Sequence, residues 1–321
     1  MTPLKPDHAI LQQAAHWYAE LSAEAADDST RAAWLHWHGQ SELHRQAWLY
    51  VERISQRFAP LQGDGEVALQ TLKGARRAQH SRRQVLRTLA VLSGGTLLGW
   101  AGWRNTPLPG LVAGWRADYR SATGEVRELT LGDGSHVWLN SASALDVDLQ
   151  ADLRLLHLVA GEVLIDTHHD SRPFVITTAE GRLRALGTRF SVQQQDGRTL
   201  LNVFEGAVEV RNTAGQVRIA QAGEQLGFDA QAIGALQPAS QGRQSWSQGM
   251  LLASDMPLSA FVEELAAHRH SHLGVAPQVA NLRVTGTFPL HDGDQALAML
   301  EDVLPIRVHR TLPWWHTVEA R

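Results

Sequence analysis

Two groups of histidines are the most obvious candidates for chemistry in this sequence, because imidazole side chains that lie close together can bind metal ions. His168 and His169 are adjacent, so on a strand they would point to opposite faces. His268, His270 and His272 alternate at the end of a predicted helix, with no carboxylate at ligand spacing. We predict exposed polar surface at both groups, with no metal and no cofactor.

The sequence also lacks the patterns that usually mark an active site. It contains no Gly-rich phosphate-binding loop, no nucleophile elbow around a serine and no pair of carboxylates at a recognisable spacing. The chain has no cysteine, which excludes disulfides and thiolate metal sites. Its formal net charge of −4 gives no indication of direct nucleic-acid binding. We therefore predict that the protein is not an enzyme.

Residues 85–103 form the one plausible transmembrane helix of the sequence. They contain a single charge, Arg87, and a helix needs roughly 20 mostly apolar residues to cross a bilayer. Trp100 and Trp103 near the far end are typical of an interfacial aromatic belt. The segment is short and rich in glycine for such a helix, and the alternative is a buried helix of a soluble protein.

The charges beside this helix predict its orientation. The basic juxtamembrane segment, residues 73–84, carries arginines and a lysine but no acidic residue, whereas few basic residues follow the helix. The positive-inside rule then places residues 1–80 in the cytoplasm and residues 104–321 across the membrane. We expect a single-pass protein whose C-terminus lies in the periplasm.

Two arginines in the basic segment, Arg82 and Arg83, could have a second role. The stretch Ser81–Arg87 resembles the twin-arginine export signature, which precedes weakly hydrophobic segments. The alternative is that both are ordinary topogenic charges, and the sequence leaves the two possibilities open. No Ala-x-Ala site closely follows Trp103, so we expect an uncleaved anchor.

Residues 1–72 are predicted to form three or four short helices. Apolar residues recur at helical spacing, and Asp27 and Ser41 are suited to cap the second and third helices. A bundle of this size is marginally stable alone, so a partner could supply the missing burial.

Residues 117–235 are predicted to form an all-β domain. About ten to twelve short alternating runs follow one another without a helix, which indicates a sandwich or a barrel-like roll. Asp133-Gly134 and Asp196-Gly197 are typical hairpin turns between such runs. A polar linker, residues 236–249, then leads to a small α+β domain at 250–321. The sequence thus predicts a multidomain protein.

The chain resembles the FecR-type regulators in all of these parts. The helical residues that carry the resemblance are Ala15–Tyr18, Arg31–His38 and Leu43–Ile54. The β domain contributes Leu129–Asn140, Ala160–Asp166, Pro173–Val175 and Leu186–Val192, and the C-terminal module contributes Asp255–Ala267 and Leu282–Phe288. This C-terminal module is similar to the short N-terminal domains of secretins and TonB-dependent receptors.

The resemblance implies an inner-membrane anti-sigma factor that regulates iron transport. The cytoplasmic helices would bind an extracytoplasmic-function sigma factor. The periplasmic C-terminal module would meet the signalling domain of a TonB-dependent outer-membrane transducer that imports a ferric siderophore. Site-1 and intramembrane proteases would then release the N-terminal fragment.

The resemblance also implies two sets of functional residues. We expect Trp17, Trp34, Trp37 and Trp48 to bind the sigma factor, although each could instead belong to the core of the bundle. Some members of the family cleave themselves between a Gly and a Thr at the position of Gly187-Thr188. The alternative for that pair is a tight turn between two strands.

Two other classes of function are open on the sequence. One is a membrane-anchored periplasmic protein that binds a ligand or carbohydrate through its β domain. The other is a structural component of a secretion assembly, which the secretin-like C-terminus suggests. The first does not explain a tryptophan-rich helical domain on the cytoplasmic side.

Overall fold

The computed structural model describes residues 7–22, 27–62, 117–195 and 197–321. The chain divides into a helical unit, to which Arg310–Trp315 also belongs, and a larger unit of Gly110–His309 with His316–Arg321. The predicted transmembrane helix at 85–103, the basic segment 73–84 and Arg82 and Arg83 lie outside the described residues. Within those residues, the helices are all too short or too polar to cross a membrane.

The helical unit contains α1 (His8–Ser22), α2 (Asp28–Gly39) and α3 (Glu42–Gln62). Small residues at the contacts let the helix backbones approach closely, and aromatic side chains fill the space beside them. The buried core consists of Ala14, Ala15, Trp37, Ala47, Trp48, Val51, Ile54, Trp314 and Trp315.

Within the described residues, the larger unit begins with thirteen strands that form one continuous hydrogen-bonded sheet. Its strands are β1 (Tyr119–Arg120), β2 (Arg127–Thr130), β3 (His136–Leu139), β4 (Ala144–Leu149), β5 (Arg154–Asp166), β6 (Phe174–Thr177), β7 (Gly181–Ala185), β8 (Arg189–Gln195), β9 (Arg198–Glu205), β10 (Ala207–Asn212), β11 (Val217–Gln221), β12 (Glu224–Phe228) and β13 (Gln237–Pro238). The predicted hairpin at Asp133-Gly134 is confirmed, because β2 and β3 pair antiparallel and Gly134 has φ +84°.

The continuous sheet folds over into a sandwich of two layers, and strand β5 runs through both layers. Its first half pairs with β4 and β6, and its second half pairs with β3 and β8. The strand turns at Gly161, which has φ +84° and where a Cβ atom would lie 2.3 Å from the Ser143 hydroxyl. Glycine is therefore required at this bend. Leu183 and Val210 from one layer share a buried core with Val192 and Leu201 from the other.

The C-terminal module of the same unit is α+β. It contains β14 (Met250–Pro257), α4 (Leu258–Ala267), β15 (His272–Val275), β16 (Arg283–Pro289), α5 (Gly293–Val303), β17 (Ile306–Leu312) and β18 (Trp315–Ala320). A 3₁₀ helix, Gln241–Gln248, precedes β14 within the predicted polar linker. Leu164 and Phe204 of the sandwich belong to the same buried core as the inner face of α4. The predicted multidomain layout of helices followed by a large β-rich part is confirmed.

Candidate functional site

The structure brings the four predicted tryptophans of the helical unit together in two pairs. The rings of Trp17 and Trp37 lie 6.5 Å apart between centroids, and those of Trp34 and Trp48 lie 4.9 Å apart. Trp37 and Trp48 are 6 % and 9 % exposed and belong to the core. Trp17 and Trp34 are only partly buried. Each pair therefore joins a core indole to one that reaches the surface.

Trp37 is held in place by polar partners. Its indole N–H donates to Oε1 of Gln13 at 2.8 Å, and its ring meets the His44 ring edge-on at 5.0 Å. His44 is in turn hydrogen-bonded to the Ser41 hydroxyl at 2.7 Å. The rings of Trp17 and Trp37 line a cavity of about 630 Å³. The other residues that line it are Gln12, Gln13, His16 and Gln40.

The position of Trp34 depends on the start of α2. Asp27 caps this helix as predicted, because its Oδ1 accepts from the Thr30 amide at 2.8 Å. That backbone bond lowers the pKa of the Asp27 carboxyl below its ordinary value.

Two turns into the helix, the Trp34 indole nitrogen is buried and has no hydrogen-bond partner among the described residues. A buried donor without an acceptor costs stability.

Several aromatic residues of the helical unit were not predicted. Trp314 stacks on Phe58 with ring centroids 5.8 Å apart, and it meets Tyr18 edge-on at 5.7 Å. Trp314 lies far from Phe58 and Tyr18 in sequence, so the helical spacing of residues 1–72 could not indicate these contacts. Leu35 and Leu49 are 60 % and 54 % exposed, so apolar surface remains outside the core.

Gly187 and Thr188 connect β7 to β8, as the tight-turn interpretation predicted. Gly187 has φ +77°, a conformation that favours glycine. Thr188 is 4 % exposed, and its hydroxyl oxygen is buried without a hydrogen-bond partner in the described structure. Leu186, immediately before the pair, is 51 % exposed. The connection thus combines a glycine-type backbone with a hydroxyl that its surroundings do not use.

Two neighbouring residues fix the backbone on either side of this peptide bond. The Thr188 amide donates to the Thr167 hydroxyl at 2.8 Å, and the same hydroxyl donates to the Thr188 carbonyl at 3.0 Å. On the other side, a Cβ atom on Gly206 would lie 2.2 Å from the Gly187 carbonyl oxygen. Glycine at position 206 therefore lets the Gly187 carbonyl occupy its place.

The two histidine groups behave differently. His168, His169 and His270 are exposed, as predicted. The prediction is wrong for His268, which is 7 % exposed and hydrogen-bonded at both ring nitrogens. One of its partners, Asn140, belongs to the β-sandwich and lies far away in sequence. Local spacing could therefore not indicate this contact. The described residues contain no group of His, Asp and Glu side chains arranged to hold a metal ion.

Two family models match parts of the chain. Residues 117–209 match the FecR protein family. This part of the chain is therefore a FecR domain. Residues 12–54, which contain all four predicted tryptophans, match a domain of unknown function, DUF4880.

The fold of this chain is also similar to solved structures. Two crystal structures of a proposed anti-sigma factor from Parabacteroides distasonis, at 2.50 and 1.65 Å resolution, match with TM-scores of 0.52 and 0.53. In both cases the identity is 22 %, and the match covers 63 % of this chain and 98 % of the other. At this identity the likeness concerns the fold alone. No curated protein matches the chain.

Proposed function

We propose that this protein is a single-pass inner-membrane regulator that binds an extracytoplasmic-function sigma factor through its helical unit. The observation that carries the proposal is the arrangement of Trp17 and Trp34, which pack on the core tryptophans yet remain partly exposed. Indoles in such positions are typical anchors of protein interfaces. The name given to the proposed anti-sigma factor of similar fold supports the same function.

Co-purification of the full-length protein tests sigma-factor binding. The tagged chain is expressed with each extracytoplasmic-function sigma factor of its genome, solubilised in detergent and isolated. We expect one sigma factor to be retained, and transcription from its promoter to fall when the regulator is present. A Trp138→Ala variant, altered in the FecR domain, is the control and should retain the factor. Failure of every sigma factor to bind would contradict the proposal.

We further propose that the signal comes from a TonB-dependent outer-membrane transducer of a ferric siderophore and reaches the C-terminal module in the periplasm. Site-1 and intramembrane proteases would then release the helical unit. A reporter for the sigma-dependent promoter should respond to the siderophore only when both this chain and the transducer are present. A response that persists without the transducer would contradict this relay.

The topology has its own test, because one contact argues against it. In the proposed topology the helices and Trp314 lie on opposite sides of the membrane, whereas Trp314 stacks on Phe58 in the structure. The chain has no cysteine, so a Trp314→Cys variant can be labelled selectively. We expect a membrane-impermeant maleimide to label it in spheroplasts, and a Ser55→Cys variant to stay unlabelled. The opposite pattern would contradict the topology.

The route of export is tested separately at Arg82 and Arg83. Twin-arginine export requires arginine at both positions, whereas ordinary topogenic charge tolerates lysine. If the twin-arginine route is used, replacement of both by lysine in the Trp314→Cys variant should leave the C-terminal part in the cytoplasm and abolish maleimide labelling. Unchanged labelling at position 314 would identify ordinary membrane insertion.

We also propose that the chain cleaves itself between Gly187 and Thr188. The unpaired Thr188 hydroxyl and the positive φ of Gly187 support this. The hydroxyl oxygen attacks the Gly187 carbonyl carbon, the C–N bond breaks, and the hydroxyl proton passes to the nitrogen, which leaves an ester and a free amine. Water then hydrolyses the ester to a Gly187 carboxylate and restores the hydroxyl.

Mass spectrometry of the purified protein tests this cleavage. We expect two fragments that meet between residues 187 and 188. Thr188→Ser keeps a hydroxyl and should be cleaved, whereas Thr188→Val keeps the shape without the nucleophile and should stay intact. An intact wild-type chain would contradict the proposal.

A further inference from the structure

The C-terminal end of α4 is seated on the FecR domain by polar groups. The Ser141 hydroxyl donates to the Ala267 carbonyl at 2.6 Å and accepts from the Gly124 amide at 2.9 Å. A Cβ atom on Gly124 would lie 2.9 Å from the His268 carbonyl oxygen, so the two backbones are in close contact. The last carbonyls of a helix have no partner within it. Here the FecR domain supplies one of those partners.

His268, directly after α4, bonds to two acceptors. Its Nδ1 lies 3.0 Å from the Glu264 backbone carbonyl oxygen, and its Nε2 lies 2.7 Å from Oδ1 of Asn140. The Asn140 amide is oriented by its other bonds, because Oδ1 accepts from the Ser141 amide and Nδ2 donates to Oε2 of Glu162. Both ring nitrogens of His268 therefore face oxygens that can only accept.

A neutral imidazole has one N–H donor, whereas the imidazolium ion has two. Both bonds of His268 form together only when both ring nitrogens carry a proton. All three members of the bridge from His268 through Asn140 to Glu162 are less than 10 % exposed, so water does not readily replace a lost bond.

The 3₁₀ helix adds a second connection between the two modules. Its Arg243 pairs with Glu264 on α4 and donates to Oε1 of Gln193 on β8 at 3.3 Å. The next residue, Gln244, accepts from Arg189 at 2.9 Å. The predicted linker thus holds α4 against the FecR domain, one turn before His268.

We propose that His268 is a proton-dependent latch between the C-terminal module and the FecR domain. The latch is closed when the imidazole carries two protons and loosens when it loses one, because either the helix carbonyl or Asn140 is then left without its donor. The charged groups around His268 are Glu162 from β5, Glu264 from α4, Arg243 from the 3₁₀ helix, and the next residue, Arg269, which pairs with Asp294 of α5.

The latch gives the relay a conformational control that does not depend on which partner binds. With the latch closed, β5 and α4 move as one body, and a force on the C-terminal module reaches the FecR domain directly. With it open, α4 is held only by the Arg243 connection, the Ser141 bond and the shared apolar core. This inference rests on the contacts of the larger unit and not on sigma-factor binding.

Distance measurements on the full-length protein test the latch. Spin labels are placed on Val217→Cys in β11 and Val303→Cys in α5, both of which are exposed, and the protein is studied in detergent. We expect one narrow distance distribution at about pH 5.5 and a broader one at about pH 8.5, a range across which imidazole titrates.

Matched histidine variants separate the latch from other pH effects. His268→Gln cannot form a cation and should give the broad distribution at both pH values. His270→Gln, two residues further and exposed, should behave as the wild type. A wild-type distribution that does not change with pH would overturn the proposal. So would a pH response that survives in His268→Gln.

Discussion

The helical unit and the FecR domain bury their apolar side chains in different ways. The FecR core consists of Val, Leu, Ile and Phe side chains from both layers, and Phe174, Phe190, Leu156 and Ile176 are almost inaccessible to solvent. The helical core relies on alanines and indoles, and Trp17 and Trp34 remain partly exposed. The FecR domain therefore completes its own core, whereas the helical unit keeps aromatic surface that a partner can cover.

The polar groups of the two regions differ in the same sense. In the FecR domain, the buried Arg154 guanidinium pairs with Asp133 at 3.0 Å and also donates to the Arg172 carbonyl, so the buried charge is fully engaged. In the helical unit, the buried indole N–H of Trp34 has no acceptor among the described residues. The buried Arg154 charge is thus satisfied within the FecR domain, whereas the Trp34 donor is not satisfied within the helical unit.

The largest expected effect comes from removing a side chain of the self-sufficient core. Phe190→Ala should destabilise the FecR domain by about 3–5 kcal/mol, because a large buried ring leaves a cavity. Hydrogen exchange of the full-length protein, followed by peptide mass spectrometry, would show lost protection in β5, β8 and β9. Protection of α1 to α3 should be unchanged, and equal loss in both regions would contradict the comparison.

The second effect concerns a buried carboxyl of the FecR domain whose pKa is strongly raised. Burial raises the pKa of Glu162 to about 7, against the opposing charge of Arg243. A raised pKa in the folded state means that stability is full below about pH 4.5, the ordinary value, and is lost as the pH rises towards 7. The loss should be on the order of 3 kcal/mol.

A Glu162→Gln variant checks this pH dependence. Glutamine keeps an oxygen that can accept from Asn140 but does not ionise, so the decline in stability between pH 4.5 and 7 should be reduced. Urea unfolding of the larger unit at several pH values measures it. A variant as pH-sensitive as the wild type would mean that another group, such as His268, dominates.

The third effect tests the incomplete region through binding. Trp34→Ala should weaken sigma-factor binding by about 2 kcal/mol, roughly 30-fold, because a partly exposed indole with an unused donor is a typical interface anchor. Titration calorimetry with the detergent-solubilised protein measures this. Arg53→Ala, an exposed change on α3, should leave the affinity unchanged. Equal affinity for Trp34→Ala and the wild type would place Trp34 outside the interface.

The sequence alone was sufficient to predict features that depend on residues close together in the chain. Leu258, Phe261, Val262 and Leu265, which recur at helical spacing, are buried on the inner face of α4. The Asp133-Gly134 turn and the Asp27 cap were predicted for the same reason, since each depends on residues within a few positions. Among the four tryptophans, the sequence left interface and core roles open, and the structure divides them into two core and two partly exposed residues.

The sequence was insufficient where contacts join distant segments. The spacing of His268 suggested surface, but its burial depends on Asn140 from another module. The polar composition of residues 236–249 predicted a linker. Part of this segment instead forms a 3₁₀ helix, which contains Arg243 and Trp246 and packs on its neighbours. Periodicity describes which face of an element is buried, and it contains no information about polar partners far along the chain.

The smallest expected effect sharpens the comparison at the start of α3. Ser41 accepts from the His44 amide at 3.4 Å and also holds the His44 ring that contacts Trp37. Ser41→Ala should therefore cost about 0.5–1 kcal/mol and loosen Trp37, as loss of a helix cap does. Ser55→Ala is the matched control, because Ser55 bonds to the Glu52 carbonyl within the helix, where alanine is favoured. Hydrogen exchange of the α3 peptides should rise for Ser41→Ala and fall or stay constant for Ser55→Ala. The same response to both changes would mean that the first turn of α3 is held by packing, and the helical unit would then resemble the FecR domain more closely than its exposed indoles suggest.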